Sequence, residues 1–367
     1  MAVTVFVILR KIMKKLSPFV IAGPCSAESE EQVMATARAL AKIPKVRVFR
    51  AGIWKPRTRP GAFEGVGAEG LKWLHRVQKE TRLQVTTEVA NPRHVEEALR
   101  SGLDMVWIGA RTVGNPFSVQ EIAEALRGVG IPVLVKNPLH PDLKTWMGAL
   151  ERIQQAGVKK TLAVHRGFSF YKHSPFRNDP MWEIPIELKR LRPDLPVLTD
   201  SSHICGKPDA ILAVSQRALD LEMDGLMIES HIHPSAALTD RQQQITPARL
   251  EELLNLLVIR NPVGNIRFQN RLEQLRSEID KIDQQLLDIV ARRMSLAEEI
   301  GRYKKANKIT ILQLKRWSQI FRERLESGRE LGLSREFILK LLEAVHEESI
   351  QRQLDVMNHP EKREKTS

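Results

Sequence analysis

Short apolar or β-branched runs alternate with longer amphipathic segments along the first two thirds of the chain. The runs are PFVIAG (18–23), VRVFR (46–50), QVTTE (84–88), MVWIG (105–109), PVLVK (132–136), TLAVHR (161–166), PVLTDS (196–201) and GLMIES (225–230). Runs of that length predict buried strands. The segments between them, such as SEEQVMATARALAKI and DLKTWMGALERIQQAG, carry apolar residues at helical spacing. Eight strand-then-helix units in series predict an α/β fold, a parallel (β/α)8 barrel over residues 17–260, because each right-handed crossover lays a helix over the sheet. A doubly wound open sheet is the alternative.

The pattern then changes. NPVGN (261–265) is a Pro/Gly/Asn break that reads as a linker. Beyond it no strand pattern occurs, which predicts an all-α helical domain over 266–357 and a polar, disordered tail over 358–367. Leu272, Leu275, Ile279, Ile282, Leu286 and Ile289 form a seam that Leu296, Ile300 and Tyr303 resume. Arg293 takes the place where an apolar residue is due. A guanidinium there must find an anion or acid, or reach out to water along the seam. Lys304, about three turns on, shares its helix face.

The chain has 367 residues and a formal charge of +13, which favours anionic partners. No stretch is long enough to cross a membrane. Residues 1–16 read as an extension, with Met13 as an alternative start. Two cysteines, Cys25 and Cys205, make no disulfide framework, so a reducing cytoplasm is expected. Arg50, Lys55, Arg57 and Arg59 crowd around Trp54 among prolines and glycines. Alone, they suit nucleic acid, a phosphorylated metabolite or a merely solvated loop.

The strand ends decide among these. Cys25, Arg50, Glu88, Arg111, Lys136, Arg166, His203 and Glu229 each end or closely follow one strand. Barrel active sites are built at the carboxyl ends of strands, so the cations belong to a ring around a pocket, and nucleic acid is not expected. Arg50, Lys55, Arg57, Arg111, Lys136 and Arg166 would repel one another without several phosphates or carboxylates between them. Cys25, His203, Glu229 and Asp240 offer the S, N and O donors that suit a divalent Mn, Fe, Co or Zn ion.

GPCSAES (23–29), KPRT (55–58), TTE (86–88), GARTV (109–113), VKNP (135–138), HRG (165–167), DSSH (200–203), MIESH (227–231) and ALTDRQQQITP (237–247) together resemble 3-deoxy-D-arabino-heptulosonate 7-phosphate (DAHP) synthase. The resemblance spans nearly all of 17–260 and is to the short class of that family, which lacks an N-terminal regulatory extension. It implies condensation of phosphoenolpyruvate with erythrose 4-phosphate. It also implies one metal ion, Mn²⁺ first, on Cys25, His203, Glu229 and Asp240. Phosphoenolpyruvate would be held by Arg50, Lys55, Arg111, Lys136 and Arg166, and erythrose 4-phosphate by Lys55, Pro56, Arg57 and Thr58. Lys55, Glu88, Lys136 and His203 are the implied catalytic residues. The rival is 3-deoxy-D-manno-octulosonate 8-phosphate synthase, which carries a KANRS-like segment where this chain has KPRT.

The helical segment resembles the all-helical chorismate mutases over about 267–357, through LRSEIDKIDQQLLDIVARR, Lys304, Arg316 and EESIQRQ (347–353). That implies rearrangement of chorismate to prephenate in a pocket lined by Arg293, Lys304, Arg316, Ser349 and Gln353, with Arg276 reaching into a partner's site. Arg293, Lys304 and Gln353 are the implied catalytic residues. A homodimer, or a tetramer, is expected. Gln313 and Trp317 depart from the family, where an acid faces the substrate's hydroxyl side, so a purely regulatory domain stays open. Prephenate held by Arg293 and Lys304 is expected to lower synthase activity. A rival synthase with a helical appendage, or a basic scaffold that dimerises through its helices, are the remaining alternatives.

Overall fold

The computed structural model describes residues 18–56, 61–171, 174–260 and 266–358. The chain divides into two compact units, residues 1–262 and 263–367. In the first unit, eight parallel strands close on themselves in sequence order. They are β1 (Phe19–Gly23), β2 (Val46–Arg50), β3 (Gln84–Val89), β4 (Met105–Ile108), β5 (Val133–Lys136), β6 (Thr161–His165), β7 (Val197–Asp200) and β8 (Gly225–Glu229). β8 closes on β1 in unbroken register from Phe19 opposite Gly225 to Gly23 opposite Glu229. The barrel is therefore the one the sequence pattern predicts, and the open sheet is excluded.

Strand residues alternate between two environments. Ile21, Val48, Met105, Trp107, Leu134, Val164, Leu198 and Met227 form a small cluster inside the barrel. Their neighbours, among them Val20, Ala22, Phe49, Val106, Val133, Ala163, Val197 and Leu226, join the larger core under the helices. The parity has a consequence at the open end. The residue two places past an interior plug residue must also face inward: Val48 leads to Arg50, Leu134 to Lys136, Leu198 to Asp200 and Met227 to Glu229.

The surrounding helices have local causes. α1 (Glu30–Ala41) starts where the Ser29 side chain accepts the Gln32 amide, with Glu30 and Glu31 favouring the positive end of the helix. α2 (Glu69–Thr81), α3 (Pro92–Arg100), the short α4 (Ala110–Val113), α5 (Pro116–Ala125), α6 (Leu143–Gln155) and α7 (Glu183–Leu191) follow. The one-turn α8 (Ser201–Cys205) ends at Gly206, whose left-handed backbone glycine adopts without strain. α9 (Ile211–Asp220) and α10 (Pro247–Leu256) complete the unit.

Among the described residues, the second unit holds three helices, α11 (Ile266–Ala306), α12 (Leu314–Glu330) and α13 (Arg335–Asn358). α11 has 41 residues, about 60 Å of helix. Its C-terminal half packs on α13, where a side chain at Gly301 would come within 3.1 Å of Gln353 Cα. The seam on α11 stays open in the single chain: Ile279, Ile282, Leu286 and Ile289 are each more than half exposed. Met13, the NPVGN segment and the tail after Asn358 lie outside the described residues. Among the described residues no helix is long and apolar enough to cross a membrane.

His165, at the end of β6, is fully buried, with Nε2 2.7 Å from the Pro180 carbonyl and its ring edge-on to Trp182. Burial pulls its pKa down to about 3. The unfolded chain then takes up the proton first, so stability is full above about pH 6.5 and falls as pH drops toward 3. Thermal unfolding at pH 7 and pH 5 tests this: His165→Gln should recover about 2 kcal/mol of the wild-type loss at pH 5. An unchanged pH dependence would contradict a neutral buried imidazole.

Candidate active and metal sites

The floor of the barrel's open end is Trp107. Its ring carries the Arg50 guanidinium at 4.8 Å and the Lys136 ammonium at 5.8 Å, and its Nε1 donates to Glu88 Oε2 at 3.3 Å. Arg50 has no solvent exposure. An isolated guanidinium there would cost several kcal/mol. Two acids offset this, Glu229 Oε1 at 3.2 Å and Asp200 Oδ2 at 4.0 Å, and the Cys25 carbonyl accepts from Nη2 at 3.3 Å. Burial opposes the charge on Arg50, yet Glu229 and Asp200 outweigh it and raise its pKa.

Asp200 is the hub of the other side. Its Oδ2 accepts from Lys136 Nζ at 2.7 Å and lies 2.9 Å from His203 Nδ1. Burial raises the carboxyl's pKa, but His203, Lys136 and Arg50 hold it well below the usual range. Burial lowers Lys136, with Asp200 opposing, and lowers His203, which leaves the imidazole neutral. Lys55 is partly buried and donates to the Cys25 carbonyl at 3.1 Å. Burial works against its charge, but Cys25, Glu88 and Glu229 together raise its pKa. Arg166, on the β6 loop, donates to Asn178 Oδ1 at 2.6 Å, and burial brings its pKa to about 10. Arg111 is exposed on α4, near enough for its charge to act on Arg166. Gly109 is there for space: a Cβ would sit 2.0 Å from Glu88 Oε1.

Cys25, Glu229 and Asp240 bring one donor atom each within 4.8 Å of one another. His203, the expected fourth donor, is not part of this trio but stands beside it, with Nε2 3.8 Å from Glu229 Oε1. The set fits a divalent cation. Buried Glu229 Oε1 accepts no hydrogen bond among the described residues, and the neutral imidazole is the form that ligates. Cys25 Sγ donates to Asp240 Oδ2 at 3.4 Å. Burial, then Glu229 and Asp240, push that thiol up to about 12, a cost that a bound cation reverses by favouring thiolate.

Pro56 is partly buried beside Lys55, whereas Arg57 and Thr58 lie outside the described residues. Three residues of this site escaped the sequence reading: Asp200, Trp107 and Gln243. Strand parity was the available signal for the first two, since each lies two places past an inward residue. Gln243 gave none, because its contacts depend on how the loop after β8 folds back.

The helical unit brings its residues together in two pairs. Arg293 Nη1 bonds Ser349 Oγ and, at 3.3 Å, the Val345 carbonyl. Lys304 Nζ donates to Gln353 Oε1 at 3.1 Å and to the Ile311 carbonyl at 2.5 Å. Ser349 and Gln353 are buried. Burial lowers both Arg293 and Lys304. Arg276 and Arg316 stand exposed, bonded to Glu273 and Gln319 on their own helices. Gln313 is the exposed residue before α12, and Trp317 stacks on His346 with ring centres 3.5 Å apart.

Comparisons with known proteins find a match for each of the two units. Residues 11–260 match the DAHP synthetase I family, and residues 275–354 match chorismate mutase type II. The phospho-2-dehydro-3-deoxyheptonate aldolase of Thermotoga maritima is 30% identical over 235 residues, covering 64% of this chain and 67% of that protein. A 2-dehydro-3-deoxyphosphooctonate aldolase of Desulfotalea psychrophila is 28% identical over 255 residues, 65% of this chain and 88% of its own length. The crystal structure of the Thermotoga aldolase, also called DAHP synthase, is similar at a TM-score of 0.59 and 27% identity, over 66% of this chain and 70% of that one.

Cobalt(II) titrated into chelator-treated protein reads the trio directly. A thiolate-to-cobalt absorption band is expected in the wild type and absent from Cys25→Ser; a band that survives this substitution would place the cation elsewhere.

Proposed function

Because the chain belongs to the DAHP synthetase I family and carries a type II chorismate mutase segment behind its barrel, we propose how the residues at its two sites divide the work. The chain is an enzyme of aromatic biosynthesis with two activities. It joins phosphoenolpyruvate to erythrose 4-phosphate with release of phosphate, and it rearranges chorismate to prephenate. The observation that carries the synthase reading is the union at one strand end of buried cations with an S, O, O donor trio.

Arg50, Lys136 and Arg166, with Arg111 at the rim, receive the phosphate and carboxylate of phosphoenolpyruvate. Lys55, Pro56, Arg57 and Thr58 receive erythrose 4-phosphate. Cys25, His203, Glu229 and Asp240 would hold a divalent ion, which we take to be Mn²⁺, and when bound it would supply Lewis acidity toward the aldehyde oxygen. Lys55 stays protonated and donates to that same oxygen as the methylene carbon of phosphoenolpyruvate forms the new C–C bond. Water adds to the cationic carbon left behind, Glu88 takes its proton, and phosphate departs by C–O cleavage. Trp107 holds Glu88 on one side while Gly109 leaves it room on the other.

The second reaction is pericyclic and needs neither nucleophile nor cofactor. Arg293 binds a carboxylate of chorismate, and Lys304 with Gln353 stabilises the ether oxygen as its C–O bond breaks. Arg316 and Ser349 complete the pocket. Three helices do not enclose a ligand by themselves, so we assign the bare α11 seam to a second copy of the chain, whose Arg276 enters this site. We further propose that prephenate in this pocket lowers synthase turnover, a coupling of typically ~1–3 kcal/mol. The reading places the enzyme in the cytoplasm, free of nucleic acid and membrane.

Three experiments test these assignments. A chelator should abolish the synthase reaction and Mn²⁺ restore it, except in His203→Ala, with erythrose 4-phosphate used and arabinose 5-phosphate refused; turnover of the pentose phosphate instead would favour the octulosonate activity. Arg293→Ala should remove mutase turnover by at least about a hundredfold, as loss of a transition-state charge contact does, while the synthase continues. Prephenate should then inhibit the wild-type synthase but neither Arg293→Ala nor a chain ending at 265, and equal inhibition of all three would move the effector to the barrel.

A further inference from the structure

In the metal trio, Gln243 holds Glu229 Oε2 and Arg177 holds Asp240 Oδ1, while Glu229 Oε1 faces the Arg50 guanidinium at 3.2 Å and Asp240 Oδ2 faces the Cys25 thiol at 3.4 Å. Gln243 is 1% exposed. Its Nε2 donates to Glu229 Oε2 at 2.6 Å and lies 3.5 Å from Asp240 Oδ2. Its Oε1 accepts from Arg177 Nη1 at 2.5 Å, and the same Nη1 donates to Asp240 Oδ1 at 3.1 Å. The chain of contacts runs Glu229–Gln243–Arg177–Asp240. It leaves Glu229 Oε1 without a hydrogen bond and leaves Asp240 Oδ2 facing the Cys25 thiol.

Two features show that this arrangement is built. Asp240 sits at φ 46°, a left-handed backbone that a non-glycine residue adopts only when its surroundings hold it there. Gly206 makes the room for Arg177, since a Cβ at that position would be 2.4 Å from Arg177 Cβ.

We propose that Gln243 and Arg177 form a latch that selects which carboxylate oxygens face the metal ion, making Gln243 a positioning residue that sets metal affinity. This rests on the metal reading above. Gln243 is the only one of the two that meets both acids without adding charge. It therefore orients Glu229 and Asp240 without competing with a cation. Without it, Glu229 Oε2 loses its partner and only the Arg50 ion pair at Oε1 still orients the carboxylate, so the trio's geometry loosens. Groups that orient metal ligands through hydrogen bonds typically change affinity by 10–100-fold when removed.

The test is cobalt(II) binding to the chelator-treated full chain, followed by the thiolate-to-cobalt band and the visible ligand-field bands. Gln243→Met keeps length and removes both hydrogen bonds; it should raise Kd by about 10–100-fold and shift the ligand-field bands of the bound form. Arg177→Ala, at an exposed side chain where folding is not at stake, should raise Kd less and shift the bands in the same direction, with Arg177→Lys recovering part of the loss. Gln242→Met, at the exposed neighbour, should match the wild type. Wild-type Kd and bands in both Gln243→Met and Arg177→Ala would overturn the latch. No thiolate band in the wild type would overturn the metal assignment itself.

Discussion

The open end of the barrel depends on one buried ion network, centred on an arginine that never meets water. Arg50 can be charged in that place because Glu229 and Asp200 flank it. The same two acids then define everything around them. Glu229 belongs to the metal trio, and Asp200 holds Lys136 and stands against His203. A buried pair is weak grounds for stability, because hydrophobic replacements often do as well. Its value here is positional: removing Arg50 would leave Glu229 buried without its nearest cation, while Asp200 would keep Lys136 at 2.7 Å.

The two units solve the problem of binding anions differently. In the barrel, short strands aim side chains inward from a closed ring, so one chain is enough to surround a ligand. In the helical unit, the cations stand on a long helix, and Arg293 and Lys304 reach the Ser349 and Gln353 side chains of α13. The apolar seam on α11 is largely exposed among the described residues. Trp317 adds an aromatic stack against His346, with ring centres 3.5 Å apart.

Much of the architecture was legible because hydrophobic period and strand-end chemistry agree. All eight strands form within a residue of the runs that predicted them, since each is bounded by turns and buried on both faces. The candidate ring was legible for the same reason: Arg50, Lys136 and Glu229 sit at strand ends whose parity turns them inward. Asp200 was passed over because the neighbouring His203 is the more obvious donor. The Gln243–Arg177 contact was beyond the sequence, since it joins two irregular loops 66 residues apart. The seam on α11 was legible as a pattern, but a pattern does not say which surface covers it.

The most direct test is anomalous diffraction from crystals of the full chain grown with Mn²⁺ and phosphoenolpyruvate. A manganese peak within bonding distance of Cys25 Sγ and Glu229 Oε1, with the phosphate against Arg166 and the carboxylate toward Lys136, is the expected result. A peak away from that trio, or phosphoenolpyruvate bound clear of the buried cations, would contradict the claim that the strand ends form one metal and anion centre.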